Sequence, residues 1–295
     1  MNEQFPELRY EFDYSIVQID EKISIAYYDE GDKKNKNILL FIHGLSSYIP
    51  AWLKLIPLLK NHFRCVAIDL PGYGKSSAGI HSGSMLFYAE VISKFIQKLN
   101  LQKVSLVGHS MGGHISIVTT LVYPQLVDKL ILLAPAGFET FSADEKVWIK
   151  KNNSHEFYAM MDDNQIRKNY SINFFVMPAD VESMIDDRIK MKGCKNHIDY
   201  CKIVSNSLNG LLDYPVFDLL NQINSPTLIL FGQNDILIPN TILHKNLTPE
   251  NVASNGASQI PNSRLIMINE CGHFLQFEKP ETVSKNILEF LLFSA

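Results

Sequence analysis

The segment Leu106-Val107-Gly108-His109-Ser110-Met111-Gly112-Gly113 constrains the fold more than any other part of this 295-residue chain. A short apolar run of strand type precedes Ser110, and a helical pattern that ends at Pro124 follows it. At such a strand-to-helix turn the serine adopts a strained backbone conformation, and Gly108 and Gly112 keep strand and helix from colliding. The pattern alone also describes a glycine-rich turn with an incidental serine. With a strand before it and a helix after it, the segment predicts a nucleophilic serine at a helix N-terminus, whose N–H groups can hold a developing negative charge.

Apolar runs typical of buried parallel strands alternate with helical patterns over residues 38–137. This alternation predicts parallel strands joined by right-handed crossovers. It stops over residues 138–212, where helical stretches rich in Lys, Asp, Met and aromatic residues dominate. We therefore expect a core domain formed by residues 1–137 and 213–295, with residues 138–212 inserted as a helical cap.

Local patterns predict further elements within the two core segments. Alternating polarity predicts a strand within Tyr10 to Ile19, and an apolar face predicts a helix from about Ala51 to Lys60. In the second core segment we expect a helix around Thr241 to Leu247. It would lead into a polar stretch from Thr248 to Gln259.

The composition is that of a globular protein and excludes several classes of function. Hydrophobic residues make up 46% of the chain and charged residues 20%, so a large core can be buried. A net charge of −4 without a basic block argues against nucleic-acid binding. The polar N-terminus lacks a signal-peptide core, and no apolar run approaches the ~20 residues of a membrane span. Four scattered cysteines without metal or redox spacing predict free thiols and a cytoplasmic location: Cys65, Cys194, Cys201 and Cys271.

Three polar residues, Ser110, Asp235 and His273, each follow a predicted strand at the edge where open α/β sheets bind ligands. A serine hydroxyl needs an adjacent imidazole as general base, and the imidazole needs a carboxylate that fixes its tautomer. Alone, Asp235 could be a turn or helix-capping residue and His273 an ordinary turn histidine. The three together, in the order Ser, Asp, His, predict a catalytic triad.

The sequence resembles the α/β-hydrolase superfamily over nearly the whole chain outside the predicted cap. The resemblance rests on motifs that follow successive predicted strands: His43-Gly44, Asp69-x-Pro71-Gly72-x-Gly74-x-Ser76, Gly108-His109-Ser110-Met111-Gly112-Gly113, Gly232-Gln233-Asn234-Asp235 and Gly272-His273. It implies an α/β fold with an eight-stranded, mostly parallel sheet, helices on both faces and a helical cap inserted after strand 6. A serine at the nucleophile position argues against the epoxide-hydrolase and dehalogenase branches, which carry aspartate there.

The resemblance also implies roles for individual residues. By position, Ser110 would be the nucleophile, His273 the base and Asp235 the acid that orients the base. The backbone N–H groups of Leu45 and Met111 would form the oxyanion hole. Two further residues would shape loops around the site: His43 and Asp69.

Two finer branches of the superfamily fit different parts of the chain. The segment Cys271–Glu278 resembles C–C bond hydrolases that cleave vinylogous diketone acids, and so does Asp186-Asp187-Arg188, where an arginine helps to bind the substrate. The loop His43-Gly44-Leu45-Ser46-Ser47 lacks the further glycines of those enzymes, and His109 replaces their usual asparagine. Both differences fit carboxylesterases and lipase-like members better. Arg188 has an alternative interpretation as an exposed charge on the cap, because most arginines are exposed.

We therefore expect a serine hydrolase that cleaves a small to medium, largely apolar carboxylic ester through an acyl-enzyme, with no metal or organic cofactor. The alternatives are a C–C bond hydrolase of vinylogous diketone acids and a low-turnover ligand receptor with the same fold. The expected partner is a small-molecule ester, without nucleic acid or stable membrane insertion, and the chain would be a monomer or homodimer. The predicted substrate-binding residues are Ser46, His109, Trp148, Phe174, Arg188 and Phe274. Apolar residues of the predicted cap are expected either to line an acyl pocket or to pack the cap against the core: Trp148, Phe157, Met160, Met161, Phe174, Phe175 and Met177.

Overall fold

The computed structural model describes residues 3–293, and within them a single mixed sheet of eight strands forms the centre of the molecule. The strands are β1 (Ser15–Gln18), β2 (Ser24–Glu30), β3 (Ile38–Ile42), β4 (Arg64–Ile68), β5 (Val104–His109), β6 (Val127–Leu133), β7 (Thr227–Gly232) and β8 (Ser263–Ile268). Their order across the sheet is β1-β2-β4-β3-β5-β6-β7-β8. β2 is antiparallel to both of its neighbours, and β3 to β8 are mutually parallel. The predicted eight-stranded, mostly parallel sheet is confirmed.

The central strands are apolar along their whole length because both faces of the sheet are covered. Every residue of β3, β5 and β7 is buried, whereas β1 and β8 at the two edges are mostly half-buried or exposed. Strands of parallel sheets read as continuous hydrophobic runs for this reason. The parallel arrangement also brings the carboxyl ends of β5, β7 and β8 to one edge of the sheet.

Eleven α-helices lie within the described residues, and from β3 onward they alternate with the strands outside the β6–β7 connection. They are α1 (Ile56–Leu59), α2 (Met85–Lys98), α3 (Met111–Val122), α4 (Ala143–Asn152), α5 (His155–Ala159), α6 (Asp163–Ser171), α7 (Glu182–Met191), α8 (His197–Asp213), α9 (Pro249–Gln259), α10 (Leu275–Glu278) and α11 (Pro280–Phe293). α3 packs on β3, β5 and β6, and α9 packs on β7 and β8. The helices therefore cover the apolar strands that the sequence contains.

The connection between β6 and β7 contains α4 to α8 and no strand. α8 joins this helical segment to the rest of the chain. A Cβ atom on Gly210 would lie 2.2 Å from the Gly83 carbonyl oxygen, so only glycine allows this approach. The buried Ser207 hydroxyl is 2.7 Å from the Tyr88 hydroxyl and accepts a hydrogen bond from that of Tyr73. The division into core and cap stays a prediction, and α8 ends one residue beyond its second boundary, at Asp213.

Two predicted elements in the first core segment are shorter than expected. In the predicted strand at Tyr10 to Ile19, only Ser15–Gln18 pairs as β1, because Tyr10 folds onto the core and donates a hydrogen bond to Asp69. The predicted helix at Ala51 to Lys60 is a 3-10 turn, Ile49–Trp52, followed by the four-residue α1. Pro57 lacks the N–H that a continuous α-helix would need.

The helix in the second core segment lies later than predicted. Turns and irregular residues occupy 241–247, and the polar stretch that follows forms α9. Thr248 and Asn251 cap this helix reciprocally, with N–H to side-chain oxygen distances of 3.0 and 3.1 Å. Pro249 occupies the first turn, where its missing N–H costs no helical hydrogen bond. The predicted helix at residues 241–247 was wrong, although the Thr-Pro-Glu start signal of α9 was present in the sequence.

Two expectations from composition can be compared with the structure. All four cysteines are free thiols, three of them buried: Cys65, Cys201 and Cys271. Among residues 3–293, no helix is both long enough and apolar enough to cross a lipid bilayer.

Candidate active site

Ser110 lies at a strained turn between β5 and α3. Its backbone has φ 52° and ψ −116°, a conformation that non-glycine residues rarely adopt. Cβ atoms on Gly108 and Gly112 would lie 2.4 Å from the Gly112 oxygen and 2.0 Å from the Ile42 oxygen, so both positions need glycine. The Ser110 N–H donates to Leu133 O at 3.0 Å. This hydrogen bond helps to stabilise the strained backbone conformation. The turn thereby presents the serine side chain at the sheet edge.

His273 and Asp235 form a buried pair at the same edge of the sheet. His273 Nδ1 is 2.7 Å from Asp235 Oδ2, and both residues are nearly inaccessible to solvent. The other carboxylate oxygen accepts the N–H groups of Leu237 and Ile238 at 2.8 and 3.0 Å. A carboxylate only accepts hydrogen bonds, so Nδ1 carries the proton and Nε2 is left as the basic nitrogen. Among the described residues, His273 makes no hydrogen bond to the Ser110 hydroxyl, a contact that often tightens only with substrate.

Glu139, which follows β6, is a second carboxylate near this edge of the sheet, but it has other partners. Its Oε1 atom accepts the Asn240 N–H at 2.8 Å and lies 2.5 Å from His244 Nδ1. The structure therefore joins Asp235, and not Glu139, to His273.

The loop after β3 lies against Ser110. A Cβ atom on Gly44 would be 3.2 Å from Ser110 Cβ, and Ser46 in the same loop has a positive φ of 57°. Within residues 3–293 the N–H groups of Leu45 and Met111 donate to no backbone acceptor outside regular helices and strands. Met111 opens α3, where N–H groups lack helical partners. Both N–H groups are thus available, as an oxyanion hole requires.

His43 and Asp69 tie the loops around this site to the core. His43 donates from Nδ1 to Gly44 O and accepts the Leu70 N–H at Nε2, so its ring is neutral. Burial lowers its pKa to about 4. Asp69 accepts the N–H groups of Ile49 and Lys75, and burial raises its pKa to about 6. These contacts fit the predicted loop-shaping roles.

His109 connects the Ser110 turn to the His273 segment. Its Nε2 atom donates to the His273 carbonyl oxygen at 2.9 Å, and its ring stacks on Phe274 with centroids 5.1 Å apart. Burial, together with the nearby His273, keeps the pKa of His109 well below its usual value. The ring is therefore neutral, and Nδ1 is a buried acceptor without a partner in the described chain.

A family model described as the alpha/beta hydrolase fold matches residues 37–175. Over 278 residues the chain is 29% identical to a 2-hydroxy-6-oxononadienedioate/2-hydroxy-6-oxononatrienedioate hydrolase of Pseudomonas putida, covering 91% of this chain and 92% of that protein. The chain has the α/β-hydrolase fold. It is also 25% identical to a monoacylglycerol lipase of Mus musculus, over 92% of this chain and 80% of that protein. A solved structure of a probable hydrolytic enzyme from Pseudomonas aeruginosa PAO1 has the same fold, with a TM-score of 0.89 at 22% identity over 98% and 97% of the two chains.

The hydrolase contains a cavity between the sheet edge and the helices of the β6–β7 connection. About 670 Å³ of space is free of protein atoms when the open mouth is included, and about 120 Å³ of it is accessible to the centre of a water-sized molecule. Four predicted substrate-binding residues line it: Ser46, His109, Arg188 and Phe274. Within residues 3–293, no cluster of His, Cys, Asp and Glu is arranged to hold a metal ion.

Two predicted substrate-binding residues do not line the cavity. Trp148 is 39% exposed on α4, because that helix buries Ile149 and packs on α8 through its other side. Phe174 is buried behind the cavity wall, where it packs on Phe274 and Phe277. Of the predicted acyl-pocket residues only Met161 lines the cavity, and four besides Trp148 are exposed: Phe157, Met160, Phe175 and Met177.

Several lining residues were missed by the sequence analysis. They lie on α5, α6 and α7, in the turn after α6, and in the loop after β3: Ser47, Tyr158, Ile166, Asn169, Tyr170, Asn173 and Met184. Short polar helices give a weak amphipathic signal, and which face meets the sheet edge depends on how the helices pack. Ser47, next to the predicted Ser46, is the one residue that its position could have suggested.

Arg188 on α7 is buried, with only 7% of its surface exposed, and the interpretation as an exposed cap charge is wrong. Its Nη1 atom has no hydrogen-bond partner among the described residues, and no carboxylate there lies within 4.0 Å. The neighbouring Asp187 instead accepts the Tyr48 hydroxyl at 2.8 Å. A buried charge without a partner is costly, so this guanidinium is a candidate site for an anionic ligand.

Proposed function

We propose that this hydrolase cleaves a small substrate whose carboxylate is bound by Arg188. The reaction that these features support best is hydrolysis of a C–C bond in a vinylogous diketone acid. The observation that carries the proposal is the buried guanidinium, which has no anionic partner within residues 3–293 and lines the same cavity as Leu45 and His109. A bidentate carboxylate is the natural counter-ion for a buried arginine. The similar Pseudomonas putida protein is named for dienedioate and trienedioate substrates, which are acids of this kind.

In the proposed mechanism, Ser110 Oγ attacks the ketone carbonyl while His273 Nε2 takes the hydroxyl proton. Asp235 keeps the second proton on Nδ1 and stabilises the imidazolium. The N–H groups of Leu45 and Met111 hold the oxyanion of the tetrahedral intermediate. The C–C bond then breaks, its electron pair passes into the conjugated ketone of the leaving fragment, and His273 returns the proton to that fragment. Water activated by His273 hydrolyses the acyl-enzyme and releases a second acid.

An ester is the second candidate substrate, and it would use the same residues with an alcohol as the leaving group. The observations that favour it are the apolar side chains in the cavity wall, including Met161, Ile166 and Met184, and the resemblance of the His109 position to esterases. The similarity to a monoacylglycerol lipase supports it as well. A low-turnover receptor is less favoured, because a pure binder gains nothing from the buried pair of His273 and Asp235.

The test compares 2-hydroxy-6-oxononadienedioate with p-nitrophenyl butyrate on the purified protein. We expect kcat/KM for the diketone acid to exceed that for the ester by at least ~10-fold, equivalent to about 1.4 kcal/mol of transition-state stabilisation. Ser110→Ala is the control and should be inactive on both substrates. Faster turnover of the ester would overturn the first choice and promote the esterase, and a stoichiometric burst followed by silence would favour the receptor.

A further inference from the structure

We infer that Tyr200 is a positioning residue whose aromatic ring holds the Arg188 guanidinium at the cavity wall and thereby sets the affinity for anionic substrates. The inference rests on the proposed function. The guanidinium carbon of Arg188 lies 4.9 Å from the centroid of the Tyr200 ring. This distance is within the range of a cation–π interaction, which is strongest where both groups are shielded from water.

An aromatic ring stabilises the Arg188 cation without occupying its N–H donors, whereas an acidic partner would occupy them. A carboxylate beside Arg188 would neutralise its charge and occupy the N–H donors that the substrate needs. The face of an aromatic ring attracts the cation through its quadrupole and leaves the in-plane donors available. The unpaired Nη1 atom of Arg188 agrees with this arrangement. Burial raises the pKa of the Tyr200 phenol although the nearby Arg188 charge opposes the shift, so the partner is a neutral ring and not a phenolate.

Tyr200 is itself held from two sides, which makes it a rigid support. It lies on α8 with 1% exposure and packs edge-on against Phe5 and Tyr73, with centroids 5.3 and 5.8 Å away. Phe5 belongs to the N-terminal segment, which is fastened to the start of α8. Asn196 Nδ2 donates to the Gln4 carbonyl oxygen at 2.7 Å, and Gln4 Nε2 donates back to Asn196 O at 3.3 Å. The N-terminal segment therefore contributes indirectly to the wall that carries Arg188.

The experiment measures equilibrium binding of 2,4-hexadienoate and its neutral amide by calorimetry. The parent protein should bind the dienoate at least ~10-fold more tightly than the amide, because only the acid can pair with Arg188. Tyr200→Leu removes the ring and should raise the Kd of the dienoate by about tenfold while changing that of the amide less than about twofold. Tyr200→Phe is the matched control, since it keeps the ring, and should retain the parental selectivity.

The outcomes separate this inference from the function on which it rests. A parent protein that binds acid and amide equally would contradict the proposed function and the inference together. A parent that prefers the acid, with Tyr200→Leu weakening both ligands equally or neither, would overturn the role of Tyr200 alone.

A second variant keeps the test decisive if Tyr200→Leu does not fold. Phe5→Leu leaves Tyr200 in place but removes the ring that supports it, so the Kd of the dienoate should rise by about two- to threefold and that of the amide should not change. Circular dichroism and the Tm establish that the variant is folded. Unchanged dienoate affinity in folded Phe5→Leu, when Tyr200→Leu gives no protein, would contradict the inference.

Discussion

The two walls of the cavity are built in different ways. On the sheet edge, several polar groups are each held by two or more buried hydrogen bonds. Asp235 accepts from His273 and from two backbone N–H groups, and His43 uses both ring nitrogens. On the helical wall, the principal charge is Arg188, held by the face of Tyr200 and by no carboxylate in the described chain. The positions of these polar groups at the sheet edge are thus fixed by several contacts each. Recognition at the helical wall depends instead on one cation and on how its side chains pack.

Because of this difference, we expect the sheet edge to carry out bond breaking and the helical wall to recognise the substrate. Groups that must be placed within fractions of an ångström for bond breaking belong on a rigid scaffold. Groups that recognise the substrate can vary without disturbing the chemistry. Substitutions on the sheet edge should therefore lower turnover of every substrate, and substitutions on the helical wall should act on some substrates only.

The largest effect is expected for Ser110→Ala, which removes the proposed nucleophile. Activity on both the diketone acid and the ester should fall by about 10⁶-fold, with an unchanged circular dichroism spectrum. A serine-directed phosphonate should label the parent protein and leave the variant unlabelled. Comparable activity in the two proteins would exclude Ser110 as nucleophile.

A loss of about 10⁴-fold in kcat is expected for Asp235→Asn, again on both substrates. The amide would donate to His273 Nδ1 and thereby stabilise the wrong tautomer of the imidazole. Glu139→Gln is the matched control, because Glu139 contacts His244 and Asn240 instead of the base, and its activity should remain within a few-fold of the parent. A loss below tenfold for Asp235→Asn, or a large loss for the control, would mean that another carboxylate orients His273.

On the helical wall, Arg188→Met should separate the two substrates. For the diketone acid we expect a loss in kcat/KM worth about 2 kcal/mol or more, since a buried charge partner disappears. For the neutral ester the change should be less than about threefold. Lys190→Met on the same helix, whose side chain is 67% exposed, is the control and should affect neither substrate. Equal losses on both substrates would assign Arg188 to structure and not to recognition.

The smallest effect concerns His244, which joins the loop after β7 to the start of the helical segment. Its ring nitrogens lie 2.5 Å from Glu139 and 3.2 Å from Glu145. Burial opposes the charge, but the hydrogen bond and charge of Glu139, with that of Glu145, outweigh it and raise the pKa of His244. The resulting stability is fully present below the unfolded pKa of about 6.5 and is lost as pH rises through the higher folded value.

Urea unfolding of His244→Gln at pH 5.5 and at pH 9 measures this contribution. The variant should be less stable than the parent by up to about 1 kcal/mol at pH 5.5, and the difference should vanish near pH 9. His155→Gln is the control, because His155 and its partner Glu156 are both exposed. An equal cost at both pH values would contradict the proposed protonated bridge.

Much of the sheet edge could be predicted from the sequence because its constraints are local. Gly108 and Gly112 are required by the sterics of the tight turn around Ser110, and Asp235 and His273 follow apolar strands whose ends must meet. The start of α9 was equally local, in Thr248-Pro249, and could have been recognised. No local sequence pattern predicts the hydrogen bonds that join Glu139 at the sheet edge to His244 and Asn240.

The sequence by itself determined the parallel sheet and the identity of the three groups at its edge, because strand burial and turn sterics act over a few neighbouring residues. Only the tertiary structure decided that Arg188 is buried on Tyr200, that Trp148 faces solvent and that Phe174 lies behind the wall. These outcomes depend on how α4, α7 and α8 rotate against one another and against the N-terminal segment. A charged, weakly amphipathic helix carries no local preference for one rotation, so contacts distant in sequence decide which side chains reach the cavity.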